Sequence, residues 1–334
     1  MSGLAMSRGR VVVLAILSGV CISIVGVMYK LGPMCSKPVQ AMQVIVMVSA
    51  VGFVYFLASL LRRPAGQRMV RGPGSRGVWI AGSIAGVGQV GLALLFSYSF
   101  ARVPLTPIWC AQALTFVLVI VYARVLFRER MDWAKLLSLV AAGGCIAASA
   151  LNGPPSDPAT VESAAATEPV GGLLMAGLLV GIILCNAGTQ LSMKELGMRQ
   201  VGGQSLMQRG RDLYMVLLYG CLTAGTAVYC VIYGLPITWV SLGLGLAAAV
   251  GSISGISLLA ACVSAPAAVV FTLGGVAGIL SASLISVLFL GEDANTLWIA
   301  TMALAAAAIV LGSGIIGTRT VKQNPNDETR IPKQ

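Results

Sequence analysis

Between Leu213 and Gly291 the chain runs for 79 residues without one Asp, Glu, Lys or Arg. A soluble fold carries about a quarter charged residues, so such a stretch must be buried on all sides or face lipid. One helix crosses a bilayer in about 20 residues, and 79 residues are far too many for a single span. Gly234-Leu235-Pro236 and Ala265-Pro266 interrupt the stretch with residues that end helices. It therefore predicts three membrane spans joined by tight turns.

The rest of the chain has the same character. Hydrophobic residues make up 57% of the sequence and charged residues 10%, which places it in the integral membrane class. Glycine is abundant, as in helices that pack closely in lipid. Further charge-free runs cover Val11–Tyr29, Pro38–Leu61, Gly77–Ala101, Val103–Ala123, Leu136–Ser156, Pro169–Met193 and Ala294–Thr318. Each is the length of one span. The first is followed almost at once by another apolar run, so it reads as a retained helix, not a cleaved signal peptide. Seven single runs and the threefold one predict ten helices.

Charge sets their orientation. With the N-terminus in the cytoplasm, 18 of the 22 basic residues fall in cytoplasmic segments, as the positive-inside rule requires. Lys30, Lys37 and Arg102 fall outside, and Arg124 lies within a span. The loop Asn152–Val170 carries Asp157, Glu162 and Glu168 and no basic residue. The net charge of +11 is thus a topology signal, with attraction to anionic inner-leaflet lipid. It is not the footprint of a nucleic-acid partner. The expected location is the inner (plasma) membrane, with both termini cytoplasmic.

The chain also repeats itself. Pro104–Glu129 has prolines at its start, a long apolar run, Val125-Leu126-Phe127 and then Glu129. Ser264–Glu292 follows the same plan with Pro266, Val287-Leu288-Phe289 and Glu292. Five helices per half is an odd number, so the second half must sit upside down relative to the first. The expected fold is all-α and integral to the membrane, with ten transmembrane helices as two inverted-topology five-helix repeats. These occupy residues 1–151 and 171–317, joined by an outer linker at 152–170 and followed by a cytoplasmic tail at 318–334.

These features resemble the drug/metabolite transporter superfamily, in particular its EamA-type ten-helix members. The resemblance rests on the two proline- or small-residue-led helices, their VLF clusters and Glu129 and Glu292. It extends to the Gly/Ala-rich last helix of each half, Leu136–Leu151 and Leu297–Ile316. It covers about residues 10–317. It implies a carrier of small metabolites, amino acids, sugars or drugs, with a substrate cavity between the halves.

Charge inside a membrane is costly and usually functional. None of the 11 acidic residues falls near the centre of an expected helix, and histidine is absent. The superfamily's four-helix drug exporters use a carboxylate within the membrane for proton exchange, a device this pattern lacks. Glu129 and Glu292 read either as anchors of helix ends at the lipid–water boundary or as gating or coupling groups. Lys30 and Arg102 at the outer end read as snorkelling cations or as attractors of an anionic or zwitterionic substrate. Arg124 snorkels from the inner end of its helix.

Neutral polar residues are the better binding candidates. Gln89 is near the middle of the third helix. Asn186 and Gln190, four apart, share a face of the sixth. Trp109, Gln112 and Phe116 share a face of the fourth, and Tyr29 and Tyr98 flank the outer end. Thr272 and Ser281, and Ser254 and Ser257, lie on the ninth and eighth. An amide in lipid needs a partner, so these face inward, either lining a cavity or bonding helix to helix. The pattern Gly86-Val87-Gly88-Gln89-Val90-Gly91 matches a dinucleotide fingerprint, but it lies inside a span and lacks the required strand. Gly82/Gly86, Gly177/Gly181 and Gly251/Gly255 read as close-packing pairs, and Gly274-Gly275 as a bend. Seven of the eight cysteines lie in or beside apolar runs as small packing residues, and Cys35 sits in a short loop.

The sequence thus points to a secondary transporter, an exporter or permease for a small organic metabolite or drug. Tyr29, Gln89, Trp109, Gln112, Asn186, Gln190 and Thr272 are its binding candidates. Lys30, Arg102, Glu129 and Glu292 are its gating or coupling candidates. An uptake carrier for a sugar or nucleoside-like molecule is the alternative. A lipid-processing enzyme or scaffold is more remote, because an enzyme needs clustered His, Asp or Cys. No catalytic residue, metal or cofactor is expected. The partners are a small-molecule substrate and membrane lipid, and a homodimer stays open.

Overall fold

The computed structural model describes residues 7–35, 40–64, 74–100, 105–128, 133–151, 172–201, 203–290 and 296–313. The expected linker at 152–170 and tail at 318–334 lie outside them. Among the described residues the chain forms ten α-helices and a hairpin of two short strands. The first five helices are α1 (Arg8–Cys35), α2 (Ala41–Arg62), α3 (Ser75–Phe100), α4 (Leu105–Leu126) and α5 (Trp133–Leu151). Then come α6 (Gly172–Met198), β1 (Gln200–Val201), β2 (Gln204–Ser205), α7 (Leu206–Ile232), α8 (Trp239–Cys262), α9 (Ala267–Leu290) and α10 (Thr296–Ser313).

Six helices hold stretches long and apolar enough to cross a membrane: Gly9–Gly32, Ala41–Arg62, Ser75–Ser99, Leu206–Ile232, Trp239–Cys262 and Val269–Phe289. A shorter apolar stretch, Thr296–Ala308, lies in α10. Their outer faces carry large apolar side chains such as Val54, Ile80, Ile84, Val87, Val228, Val250 and Leu288, while Ser18, Ser23, Asn186, Thr189 and Ser252 are buried. Polar groups inward and apolar groups outward is the arrangement a lipid solvent demands. The architecture is all-α and compatible with a multi-pass membrane protein.

The long charge-free stretch folds as parts of three helices, and the chemistry of its breaks is visible. After α7 the N–H of Gly234 donates to Val231 O and that of Leu235 to Cys230 O. These two bonds form a Schellman C-cap. Gly234 has φ +59°, a left-handed conformation that favours glycine. Pro236 follows, and Thr238 caps α8 in a reciprocal pair with Ser241. The second break, Val263–Pro266, ends with the Pro266 carbonyl accepting from Val269 and Val270. Proline is at ease there because the first N–H groups of a helix have no intrahelical partner.

Several boundaries differ from the charge-free runs; α1 continues past Tyr29 to Cys35, so Cys35 ends a helix and does not sit in a loop. α6 continues past Met193 to Met198, and α7 begins at Leu206, before Leu213. Lys194 and Asp212, expected in a cytoplasmic loop and at a helix end, are therefore helical and fully buried, at 0% and 1% exposure. A helix does not stop at its first charge when a partner waits inside. Lys194 Nζ donates to Ala265 O at 2.9 Å, and Asp212 is held by arginines.

Helices of the first five pack chiefly against helices of the last five. α1 lies between α8 and α9, and α3 between α6 and α7. α2 meets α7 and α8, α4 meets α6 and α9, and α5 meets α10. Small residues permit several of these approaches. A Cβ on Gly88 would sit 2.6 Å from Cys185 O, and one on Gly19 would collide with the Gly274 carbonyl. Gly82 and Gly86 meet Leu217 and Cys221, while Gly251 and Gly255 meet the α1 backbone at Cys21 and Ser18. Gly181 meets Leu95, whereas a Cβ on Gly177 would meet nothing within 4 Å among the described residues. α9 stays helical through Gly274-Gly275.

Helix ends group into two faces. At one, the end of α2 meets the start of α7, where Arg63 pairs with Asp212, and Arg209 reaches Val201 O of the hairpin. The turn between α8 and α9 joins the end of α6 through Lys194. At the other face, Gln43 at the start of α2 donates to Pro236 O between α7 and α8. The larger apolar core, with Phe56, Leu60, Met207, Tyr214, Val263 and Phe271, fills the arginine-bearing half. A smaller one, with Tyr29, Val44, Ile45, Phe96 and Ile108, fills the other.

Candidate functional site

A cavity of about 120 Å³ lies between these two cores. Three helices line it with the same spacing: Ile22, Val25, Gly26 and Tyr29 of α1; Gln89, Leu92, Ala93 and Phe96 of α3; Asn186, Thr189, Gln190 and Met193 of α6. Steps of three and four residues place side chains on one face of a helix. α8 adds Ser252, Ile256 and Leu259, while α2, α4 and α7 add Ile45, Gln112 and Leu222. A second cavity of about 70 Å³ shares Ile22, Gln112, Gln190 and Leu259 with the first. It continues along Ser18 and Gly19 of α1 and Val270, Phe271, Gly274, Gly275 and Gly278 of α9.

The polar side chains fall into two groups. One is tied into the protein. Gln89 Nε2 donates to Thr189 Oγ1 at 2.9 Å, linking α3 to α6. Asn186 Nδ2 donates to the Gln112 carbonyl at 3.3 Å and to Thr115 Oγ1 at 3.4 Å, linking α6 to α4. Ser252 Oγ and Tyr219 OH share a hydrogen bond of 2.7 Å between α8 and α7. Tyr214 OH donates to Thr189 O at 3.2 Å and meets Ser192 Oγ at 3.0 Å beneath the cavity. The other group is open: the side-chain oxygens of Gln112 and Gln190 are buried without a hydrogen-bond partner among the described residues. Both stand on the wall shared by the two cavities.

The structure brings together Tyr29, Gln89, Gln112, Asn186 and Gln190 of the expected binding residues. Thr272 is buried in α9 but lines neither cavity. Trp109 belongs to α4, and its side chain, like that of Phe116, lies outside the described residues. Arg102, Glu129 and Glu292 also lie outside them. Lys30 is half-buried near the end of α1 and lines neither cavity. Ser281 acts in packing, 2.6 Å from Ser23 of α1. Ser254 and Ser257 give way to Ser252 as the α8 residue of the site.

Thr189 was legible in the sequence, since it completes the stripe Asn186, Thr189, Gln190, Met193. Ser252 was not, because its partner Tyr219 lies on another helix. Among the described residues no group of three or more His, Cys, Asp or Glu side chains could hold a metal ion. The arrangement suits non-covalent binding: a partly open, mainly apolar space with a few placed amides and hydroxyls.

No protein-family model matches the sequence, and no curated protein matches it. Among solved structures the chain is similar to one described only as the crystal structure of a protein. The TM-score is 0.60 at 15% identity, over 91% of this chain and 96% of the other. At that identity the likeness is one of fold.

Proposed function

We propose that the protein is a secondary transporter of the EamA type within the drug/metabolite transporter superfamily. It moves a small organic molecule across the inner membrane by alternating access, as an exporter or permease, with both termini in the cytoplasm. The observation that carries this reading is the make-up of the cavity wall. Four helices supply most of it, and they form two pairs five helices apart, α1 with α6 and α3 with α8. The packing follows the same rule: α1 lies against α8 and α9, and α6 against α3 and α4. A five-helix shift maps one set of neighbours onto the other, as expected of two inverted five-helix repeats around a central site. The ten helices are then ten spans.

Alternating access requires one end closed while the other is open. The thick core and the Asp212 ion pairs at the arginine-bearing end suit the closed side. By the positive-inside rule that side is cytoplasmic.

The test is transport by purified protein in proteoliposomes, using metabolites that first raise its melting temperature. Gln112→Ala and Asn186→Ala are expected to cut the initial rate at least tenfold. If both fold normally and move the same substrate at the wild-type rate, the cavity is not the site. If no metabolite that stabilises the protein crosses the bilayer, the carrier reading fails.

A further inference from the structure

The ligand class can be narrowed from what the cavity wall offers and what it withholds. Among the described lining residues of both cavities there is no Asp, Glu, Lys or Arg. A charged ligand taken out of water into such a space needs a counter-charge or it is strongly disfavoured. The buried charges nearby are already engaged. Asp212 is held by Arg63 and Arg211. Lys194 follows the lining residue Met193 but sends its Nζ to Ala265 O in the α8–α9 turn.

What the wall does offer is two carboxamides. Gln89 and Asn186 use their NH₂ groups on Thr189, Gln112 O and Thr115. Gln112 and Gln190 have buried side-chain oxygens with no hydrogen-bond partner among the described residues. The terminal torsion of a glutamine is broad, so each amide can turn either its oxygen or its NH₂ toward a guest. Buried polar groups are nearly always paired in folded proteins, and two orphans on one wall mark a place where something else supplies the pairing. They line the second cavity together with Gly19, Gly274, Gly275 and Gly278.

We infer that the Gln112–Gln190 wall binds an uncharged molecule carrying an adjacent hydrogen-bond donor and acceptor, such as a primary amide, on an apolar body. The inference rests on the proposed carrier function in taking the cavity as a ligand site, and it adds the charge and hydrogen-bonding class of the ligand.

The probes are two sets matched in carbon skeleton: isovaleramide, isovalerate and isoamylamine, and benzamide, benzoate and benzylamine. Binding to the full-length protein in detergent is read at pH 7 by ligand-observed NMR, with empty micelles as the blank. At least one amide is expected to bind saturably and at least tenfold more tightly than its anion and its amine. Gln112→Leu with Gln190→Leu is expected to weaken it at least tenfold. Because the double variant risks misfolding, Gln112→Glu is the second variant, expected to shift preference toward the amine of the same set.

An anion or amine that binds wild type as well as its amide overturns the inference, as does the absence of binding by either amide. An amide whose affinity is unchanged in a folded double variant overturns it too. An anion that binds best would direct attention to Lys194. Protein-dependent flux of the same probes in proteoliposomes, above that into protein-free liposomes, separates the two claims. A charged probe that crosses sinks the ligand class and leaves the carrier standing, whereas an amide that binds at this wall but never crosses sinks the carrier alone.

Discussion

Arg63 Nε lies 2.6 Å from Asp212 Oδ2, joining the end of α2 to the second turn of α7. Ser59 Oγ donates to the same oxygen at 2.9 Å, and Arg211 Nε lies 3.1 Å from Oδ1. Asp212 is 1% exposed and Arg63 29%. The carboxylate is thus the committed member of the network, while the arginines keep contact with water.

That asymmetry decides which substitution hurts more. Removing one member of a buried pair strands the other. Arg63 and Arg211 can rehydrate, so Asp212→Asn is expected to cost about 1–3 kcal/mol, below the fully buried range of about 3–5. Arg63→Gln is expected to cost less, because Arg211 and Ser59 remain on the carboxylate. Melting temperatures of the two variants in one detergent check the order; equal losses would show that Asp212 has no special weight.

Glycine positions separate sharply. Gly19→Ala pushes a Cβ into the backbone carbonyl of Gly274, and overpacking of this kind costs about 1–3 kcal/mol. Gly177→Ala meets nothing within 4 Å among the described residues and should be neutral, or stabilising by up to about 1 kcal/mol through helix propensity. Thermal denaturation of both variants tests the pair. A tolerated Gly19→Ala would mean that α1 and α9 do not approach as described.

Tyr219 and Ser252 meet at 2.7 Å in the wall of the cavity. Tyr219→Phe and Ser252→Ala should each cost about 1–2 kcal/mol, because either leaves the partner's buried hydroxyl unpaired. The double variant should fall short of the sum of the singles by about 1 kcal/mol, since neighbours that share a bond are not additive. Strict additivity would remove this bond from the account.

Orientation is open to direct labelling. Trp239, 86% exposed at the start of α8, and the exposed Arg209 at the start of α7 lie at opposite ends of the bundle. In a background without native cysteines, Trp239→Cys should react with a membrane-impermeant maleimide on intact cells. Arg209→Cys should react only after permeabilisation. The reverse pattern would invert the proposed topology.

Much of the fold could be read from the chain. Charge-free runs located the helices, and Gly234 and Pro266 marked the breaks inside the longest one. Periodicity carried much of the site as well, since Asn186 and Gln190 sit four apart and Gln89 sits mid-helix. The reading went astray where charge alone drew a boundary. Lys194 and Asp212 sit inside helices because Ala265 O, Arg63 and Arg211 meet them there, and those partners are distant in sequence or hidden by the assumption that charge means loop.

The sequence by itself determined the apolar composition that fits a membrane, the helical class and the polar faces that turn inward, because these follow from local composition and from the 3.6-residue period. Tertiary structure decided which inward faces meet. Gln89 and Asn186 became helix ties because Thr189, Thr115 and the Gln112 carbonyl stand within reach. Gln112 and Gln190 were left with oxygens that have no partner among the described residues, beside a wall of glycines. All four residues offer the same amide chemistry, and only their neighbours across the bundle separate the ones that brace the cavity from the ones proposed to meet a guest.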